Sequence, residues 1–363
     1  MGEPPSNLGL GVDAPTRVRR AAGLFPNAFS LVMATGIVSI DGLTLGGAGI
    51  GWALFALNMV MWPLLWLAGF IRVGTDVRAL VGELGQHRTG PAFLAVPAAT
   101  AVLGSQFAAF PLARWLDVPL FAFSVALWAI MQYGFLAGVS EGRAKPSLEQ
   151  GFSGQWLLLV VATQAVAALG AEVLKRTGPA AGLTFICYAL VLLGAIYYLL
   201  LGAVVLYRFG FVAMPPEDII GPWWINEGAA AVTVLAGARL MVVPGLKIGT
   251  FAVRDLLAPI VVGFWADATF WIPLLVLLFA WKYLLRGQVL RYSVLLWSVV
   301  FPLGMYSAAT LALADAYQIR FLHVLARLFF WIAFLAWCAT FTGALHAAWA
   351  SIVRPEVHKV RSS

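Results

Sequence analysis

Apolar segments of lipid-crossing length recur along the whole chain, and they constrain its fold more than any other feature. A helix of about 20 residues, rising about 1.5 Å per residue, covers the hydrocarbon core of a bilayer. The chain is 62% hydrophobic and 11% charged, whereas soluble domains carry about 25% charged residues. We therefore predict an all-α polytopic membrane protein. Its ten transmembrane helices are predicted near 25–45, 51–71, 91–111, 119–139, 152–171, 182–207, 222–242, 256–281, 292–314 and 321–350.

The loops between these segments are short, so consecutive helices are expected to pair as five hairpins. No second, soluble domain fits between them. The predicted domains are a flexible cytoplasmic N-terminal segment at 1–24, a ten-helix transmembrane transport domain at 25–350 and a cytoplasmic tail at 351–363. The N-terminal segment lacks the short apolar core and small-residue cleavage site of a secretory leader, so no cleaved signal peptide is expected.

Basic residues are distributed unevenly between the two sides of the predicted helices. With ten spans both termini lie on one side, and 15 of the 23 Lys and Arg residues fall there, against seven on the opposite side. The positive-inside rule then places both termini in the cytoplasm, with the protein in the inner (plasma) membrane. The net charge of +7 reflects this topology, and no nucleic-acid partner is expected.

The ninth predicted helix carries a proline directly after a phenylalanine. Pro302 lacks an N–H group and its ring clashes with the carbonyl of Ser298, so the helix is expected to bend or open there, with Gly304 loosening the same turn. Within lipid, a freed carbonyl is tolerated only where protein or a water-lined cavity satisfies it. The pattern predicts a pathway obstructed by Phe301, with Pro302 and Gly304 permitting the gate to move.

Ionisable residues at membrane depth are functional candidates, because burying them is costly. Glu227, early in the seventh helix, is a candidate proton-binding carboxylate; the alternative is a carboxylate at the positive end of its own helix. Arg327, in the tenth helix, either attracts anions as a fixed charge or snorkels to the interface. Asp267 is expected to hydrogen-bond to another helix, and His346 is expected to be interfacial.

Weakly polar or small residues in the first, seventh and ninth helices are candidates for lining a pore. Hydroxyls four residues apart share one helix face, where they replace part of an anion's hydration shell or bond back to the carbonyl four residues earlier. For the small residues, close helix packing is the alternative. The candidates are Thr35, Gly36, Ser39, Asn226, Thr233, Ser298 and Met305.

The sequence contains no motif for catalysis, metal binding or nucleotide binding. GxSxG, HExxH and P-loop patterns are absent, and Cys187 and Cys338 lie in separate helices without metal-ligand spacing. We therefore expect no enzymatic activity, no metal and no cofactor. Without an ATP site, active transport would require ion coupling, and flux would otherwise be passive.

Four segments resemble a known transporter family. They are FPNAFSLVMATGIVSI at 25–40, PPEDIIGPWWINEGAAAVTVLAG at 215–237, FWADATFWIPLLVLLFAWKYL at 264–284 and VVFPLGMYSAAT at 299–310. Their order and spacing, together with the ten-helix count, are similar to those of the tellurite-resistance/C4-dicarboxylate transporter family. That family includes fungal malate permeases, sulfite exporters, bacterial TehA and the slow anion channels of plant guard cells.

The resemblance implies a homotrimer in which each protomer has its own pore, with five hairpins around a quasi-fivefold axis and the odd-numbered helices inside. It implies that a ninth-helix phenylalanine, here Phe301, occludes the pore. The implied substrates are small anions such as C4-dicarboxylates, sulfite or oxyanions such as tellurite. It also implies an apolar residue after WIN, where this chain has Glu227. A proton-coupled carrier that uses Glu227 is therefore the alternative to a gated pore, and a membrane-embedded enzyme is a more remote one.

Overall fold

The computed structural model describes residues 25–142, 145–212, 221–290 and 292–353, and for residues 351–353 only the backbone. The predicted N-terminal segment 1–24 and the tail from residue 354 onward lie outside the described residues, as does 215–220 of the second quoted motif. The description therefore covers almost all of the region in which the sequence predicts helices.

Ten long helices account for most of the described structure, which confirms the all-α prediction. They are α1 (Phe29–Asp41), α2 (Ala48–Leu84), α3 (Ala95–Ala109), α4 (Asp117–Glu141), α5 (Leu158–Thr177), α6 (Ala181–Phe211), α7 (Ile225–Met241), α8 (Val253–Ala280), α9 (Trp297–Tyr317) and α10 (Arg320–Val353). The helix α2 extends well beyond the predicted 51–71, and extended backbone at Asp76 interrupts it.

Shorter elements lead into or extend these helices. The 3₁₀ turns before α3, α4, α5, α7 and α9 are Gly90–Leu94, Arg114–Leu116, Gly154–Leu157, Pro222–Trp224 and Val294–Leu296. The π-helical turns after α1 and α8 are Gly42–Gly46 and Trp281–Leu285. Between α4 and α5 lies a four-residue helix, Leu148–Gly151. Between α7 and α8, β1 (Lys247–Ile248) pairs antiparallel with β2 (Phe251–Ala252).

The membrane-crossing helices agree with the prediction everywhere except at the seventh span. Nine helical segments in the described residues are long and apolar enough to cross a membrane, and α7 is not among them. That helix has 17 residues, carries Glu227 and Arg239 among small side chains, and is buried almost throughout. The multi-pass membrane fold is confirmed, whereas a tenth crossing at α7 stays a prediction.

The helices are arranged as an inner ring and an outer layer. Consecutive helices pack as hairpins, from α1 with α2 to α9 with α10, and the odd-numbered helices pack on one another in the closed order α1, α3, α5, α7, α9 and back to α1. In the most apolar 18-residue stretch of each span, α1, α3, α5 and α9 have 61–94% of residues buried, whereas the even-numbered helices have 22–39%. The odd-numbered helices therefore form the ring, and the even-numbered ones surround it.

Glycines set the spacing between neighbouring helices of the ring. A Cβ atom on Gly228 of α7 would lie 2.9 Å from Cγ of Pro302 on α9, and one on Gly304 of α9 would lie 2.9 Å from a methyl group of Ile37 on α1. The same close approach occurs between α1 and α3 at Gly36 and between α3 and α5 at Gly104. Close packing, rather than loosening of the helix, is thus the role that the contacts give to Gly304.

Substituting Gly304 with alanine is expected to destabilise the ring by about 1–3 kcal/mol, because the new methyl group must displace Ile37 and Val38 of α1. The measurement is thermal unfolding of the purified protein in detergent. Gly263→Ala on α8 is the matched control, because nothing lies within 4 Å of its Cβ position. There, alanine is expected to be neutral or to stabilise the helix by up to about 1 kcal/mol. Equal melting temperatures for the two variants would contradict the packing argument.

Candidate functional site

Two cavities lie inside the ring, and residues of all five inner helices line each of them. The N-terminal cavity, where the odd-numbered helices begin, has a volume of about 20 Å³, which is room for about one water molecule. Its lining residues are Asn27, Ser30, Met33, Ala92, Ala95, Gln155, Leu158, Ile225, Leu295, Trp297, Ser298 and Phe301. The C-terminal cavity is smaller, with a volume of about 10 Å³. Its lining residues are Ile37, Ile40, Val102, Ser105, Ala165, Ala168, Val232, Leu235, Arg239 and Met305. The two cavities mark one axis through the ring.

Each inner helix turns one narrow stripe of residues toward this axis. On α1 the stripe is Met33, Ile37 and Ile40, and on α9 it is Ser298, Phe301 and Met305. These spacings of three and four residues follow the helical period, which brings such residues onto one face. The middle of the axis is apolar, and the polar lining residues lie toward its two ends.

Phe301 marks the inner end of the N-terminal cavity on α9. Phe301 is buried and lines the N-terminal cavity, while Met305, one turn further along α9, lines the C-terminal cavity. An aromatic side chain at this point narrows the passage along the axis that all five inner helices surround. Its position is where an obstruction is predicted from the sequence.

The helix α9 continues through Pro302, so the helix does not open there, and a bend at this proline stays a prediction. Pro302 lies in the second turn, so the carbonyl that it leaves without an intrahelical partner belongs to Ser298 in the first turn. Ser298 lines the N-terminal cavity. The carbonyl that lacks a hydrogen bond therefore lies at a helix end beside a cavity. Pro302 itself packs against Gly228 of α7.

The predicted pore-lining residues occupy different faces of their helices. Ser298 and Met305 line the two cavities. The hydroxyl of Thr35 accepts a hydrogen bond of 2.9 Å from Nε1 of Trp337 on α10, and that of Ser39 donates to the carbonyl of Gly51 on α2. Both α1 hydroxyls thus bind the outer helices.

The remaining candidates pack within or between helices. A Cβ on Gly36 would meet Val102 of α3 at 2.4 Å. The hydroxyl of Thr233 donates to the carbonyl of Ala229 one turn earlier. Asn226 is fully buried, and its side chain lies beside the hydroxyl of Tyr198 on α6. A pore-lining role for each stays a prediction.

The ionisable candidates lie away from the axis. Glu227 is fully buried and is not among the residues that line either cavity; no described residue donates a hydrogen bond to its carboxylate. The hydroxyl of Tyr198 on α6 donates to Oδ2 of Asp267 on α8, as expected for a helix-joining carboxylate. Arg327 and His346 are exposed on α10, in the outer layer.

Arg239, near the end of α7, is the site residue that the sequence analysis missed. It counts there only as one of the seven basic residues on the side opposite the termini. Within the described residues, it is the one charged side chain among those lining either cavity. Its Nε lies 3.2 Å from Oε1 of Glu172 on α5, and its Nη1 donates to Oγ of Ser105 at 3.3 Å. The signal was present: Arg239 follows Ile225 and Val232 at seven-residue intervals, which keeps all three on one face.

Comparison with known proteins places the chain in a family. The model of the voltage-dependent anion channel family (SLAC1) matches residues 24–345. The chain belongs to this family. Two uncharacterized membrane proteins of Mycobacterium tuberculosis, MT1776 of strain CDC 1551 and Rv1735c of strain H37Rv, are each 35% identical to it over 157 residues, which is 43% of this chain and 79% of the relative.

Membership in the voltage-dependent anion channel family confirms the resemblance and supports anion transport across a membrane. Proteins of this family are transporters or channels rather than enzymes, in agreement with a sequence that lacks catalytic motifs. Within the described residues, no group of three His, Cys, Asp or Glu side chains could hold a metal ion. The ring axis is therefore the candidate site of transport.

Proposed function

We propose that this protein is an anion channel whose pore follows the axis of the inner ring and is closed by Phe301. The observation that carries the proposal is the pair of cavities on one axis, each lined by all five odd-numbered helices, with Phe301 at the inner end of the N-terminal cavity. The quasi-fivefold arrangement of hairpins is consistent with one such pore in each protomer.

Electrostatics on this axis favour anions. The N-terminal ends of five helices converge on the N-terminal cavity, and helix N-termini carry a partial positive charge with free N–H groups. Within the described part of the chain, no Asp or Glu is among the lining residues of either cavity. An anion therefore meets favourable dipoles at the N-terminal end, and no carboxylate is among the described residues that line it.

The closed state follows from the size and polarity of the middle of the axis. Phe301, Met33 and Leu158 are apolar side chains that offer no hydrogen bond to an ion. A hydrated anion would have to shed part of its hydration shell there, which costs several kcal/mol in the absence of compensating donors. Movement of the Phe301 ring would open the passage. Because Pro302 and Gly304 fix α9 against its neighbours, we assign the movement to the side chain.

The substrate, assembly and orientation form part of the same proposal. The permeant species would be small anions, among them C4-dicarboxylates, sulfite or an oxyanion such as tellurite, and the assembly a homotrimer in the inner membrane with both termini cytoplasmic. The direct test is flux from liposomes loaded in turn with chloride, nitrate, sulfite, malate and tellurite, for wild type and Phe301→Ala. Faster efflux of one or more anions from the variant is the expected result. No anion efflux above protein-free liposomes from either protein would overturn the proposal.

A proton-coupled carrier is the second candidate, and the burial of Glu227 is what favours it. A carboxylate buried without a hydrogen-bond partner among the described residues is a group that could bind and release a proton as its surroundings change. Tyr198 of α6 and Tyr306 of α9 lie within its electrostatic reach. Because Glu227 is not among the cavity-lining residues, a channel would not need it.

The substitution Glu227→Gln separates the two candidates. For a channel, we expect the anion flux of Glu227→Gln to stay within about twofold of wild type, because the residue lies off the axis and the amide keeps its shape. The measurement is anion uptake into liposomes with and without an imposed pH gradient. Uptake that depends on the gradient in wild type and is lost in Glu227→Gln would favour the carrier.

A further inference from the structure

The C-terminal end of the axis differs electrostatically from the N-terminal end. The C-termini of the five inner helices converge there and carry partial negative charge. One carboxylate adds to it: Glu172 on α5, whose Oε1 lies close to the guanidinium of Arg239. An anion that has passed Phe301 would be repelled at this end unless a cation compensated for these charges.

Arg239 is placed to provide that compensation. It lines the C-terminal cavity together with Ser105 of α3, and its side chain is only 13% exposed. A guanidinium has five N–H donors in a rigid planar fork. Nη1 donates to Ser105, and Nε faces Oε1 of Glu172 at 3.2 Å. Arg239 therefore keeps donors for an anion while its charge stays poorly screened by water.

Glu172 counteracts Arg239 directly. Its Oε1 lies 3.2 Å from Nε of the arginine, and Glu172 is not among the residues that line the cavity. The carboxylate therefore holds the guanidinium from the side, and an anion in the cavity would compete with it for the same positive charge. The strength of this ion pair would set how tightly an anion is held.

We propose that Arg239 binds the permeating anion at the C-terminal end of the axis, and that Glu172 weakens this binding by competing for the guanidinium. This inference rests on the proposed channel function. It assigns anion selectivity to the Arg239–Glu172 pair and leaves the gate to Phe301. Removing the charge of Arg239 and removing the charge of Glu172 should therefore change the anion selectivity in opposite directions.

The experiment measures the ratio of chloride to potassium permeability, from reversal potentials, in proteins that also carry Phe301→Ala. Arg239→Gln is expected to lower the ratio by about tenfold, because a charged constriction concentrates counter-ions by at least this factor. Glu172→Gln is expected to raise it, and Arg239→Lys to retain most of it. Lys247→Gln is the control, because Lys247 is exposed in β1 and does not line the cavity.

A second measurement does not depend on current. Thermal unfolding of the otherwise wild-type protein in nitrate, compared with gluconate, is expected to show stabilisation by nitrate that is lost in Arg239→Gln and increased in Glu172→Gln. Unchanged permeability ratios in both charge variants, with Phe301→Ala still conducting anions, would overturn this inference and leave the channel intact. Absence of anion conduction in Phe301→Ala would count against the channel itself, and the unfolding measurement would then decide the binding site.

Discussion

Replacing Phe301 with alanine is expected to raise the steady anion current in planar bilayers by about tenfold or more over wild type, since lowering a barrier by about 1.4 kcal/mol already gives a factor of ten. The substitution removes the aromatic ring at the inner end of the N-terminal cavity. It leaves the small and apolar residues of the other four inner helices in place. The passage widens, and an ion keeps more of its hydration shell.

A graded series and a matched control give this prediction its specificity. Phe301→Leu, which shortens the side chain without emptying the site, is expected to conduct less than Phe301→Ala. Phe330→Ala removes an equally buried phenylalanine from α10, outside the inner ring, and is expected to leave the current at the wild-type level. If Phe330→Ala opened the protein as much as Phe301→Ala, the current would reflect a packing defect rather than a gate.

The substitution Arg208→Met is expected to destabilise the protein by about 3 kcal/mol, the largest stability effect that we predict, because it removes three charge-assisted hydrogen bonds and leaves one acceptor, the carbonyl of the buried Phe152, without its partner. Arg208, on α6, is buried, and its Nη1 donates to the carbonyls of Leu148, Glu149 and Phe152 at 3.1, 2.8 and 2.7 Å. Its guanidinium also lies over the ring of Trp223, 5.5 Å from the centroid.

This arginine supports the entrance to the N-terminal cavity. The chain it holds runs directly into the 3₁₀ turn Gly154–Leu157, and Gln155 of that turn lines the cavity. Thermal unfolding in detergent should show a loss of several degrees for Arg208→Met, with Arg78→Met, an exposed arginine on α2, as the control. Arg208→Lys should recover part of the loss, because the ammonium group keeps the charge and can donate to the carbonyls but lacks the planar guanidinium that lies over Trp223. A melting temperature equal to that of the control would show that the loop is held by other contacts.

The helices and their membrane character could be predicted from the sequence because hydrophobic length alone carries that information. The exception is α7, where Glu227, Arg239 and many small residues reduce the hydropathy of a helix that other helices, rather than lipid, surround. A sequence motif singled out Phe301, and the structure places its side chain in the lining of the N-terminal cavity; its role as a gate stays a prediction.

The faces of the inner helices could not be predicted in the same way. These helices are surrounded by protein, so their residues are apolar or small on every side and the periodicity that distinguishes an inside from an outside is lost. Thr35 and Ser39 share a face, but that face turns toward α10 and α2 rather than toward the axis. Arg239 was hidden for a related reason, because only the ring geometry shows that the end of α7 turns inward.

The central claim, that anions cross this protein along the ring axis past Phe301, is tested most directly by the reversal potential of Phe301→Ala under a tenfold KCl gradient. A membrane permeable to a single monovalent ion gives about 59 mV for such a gradient at 25 °C, with a sign set by the ion that crosses. We predict a value near the chloride equilibrium potential. A value near the potassium equilibrium potential, or no current beyond that of wild type, would contradict the claim.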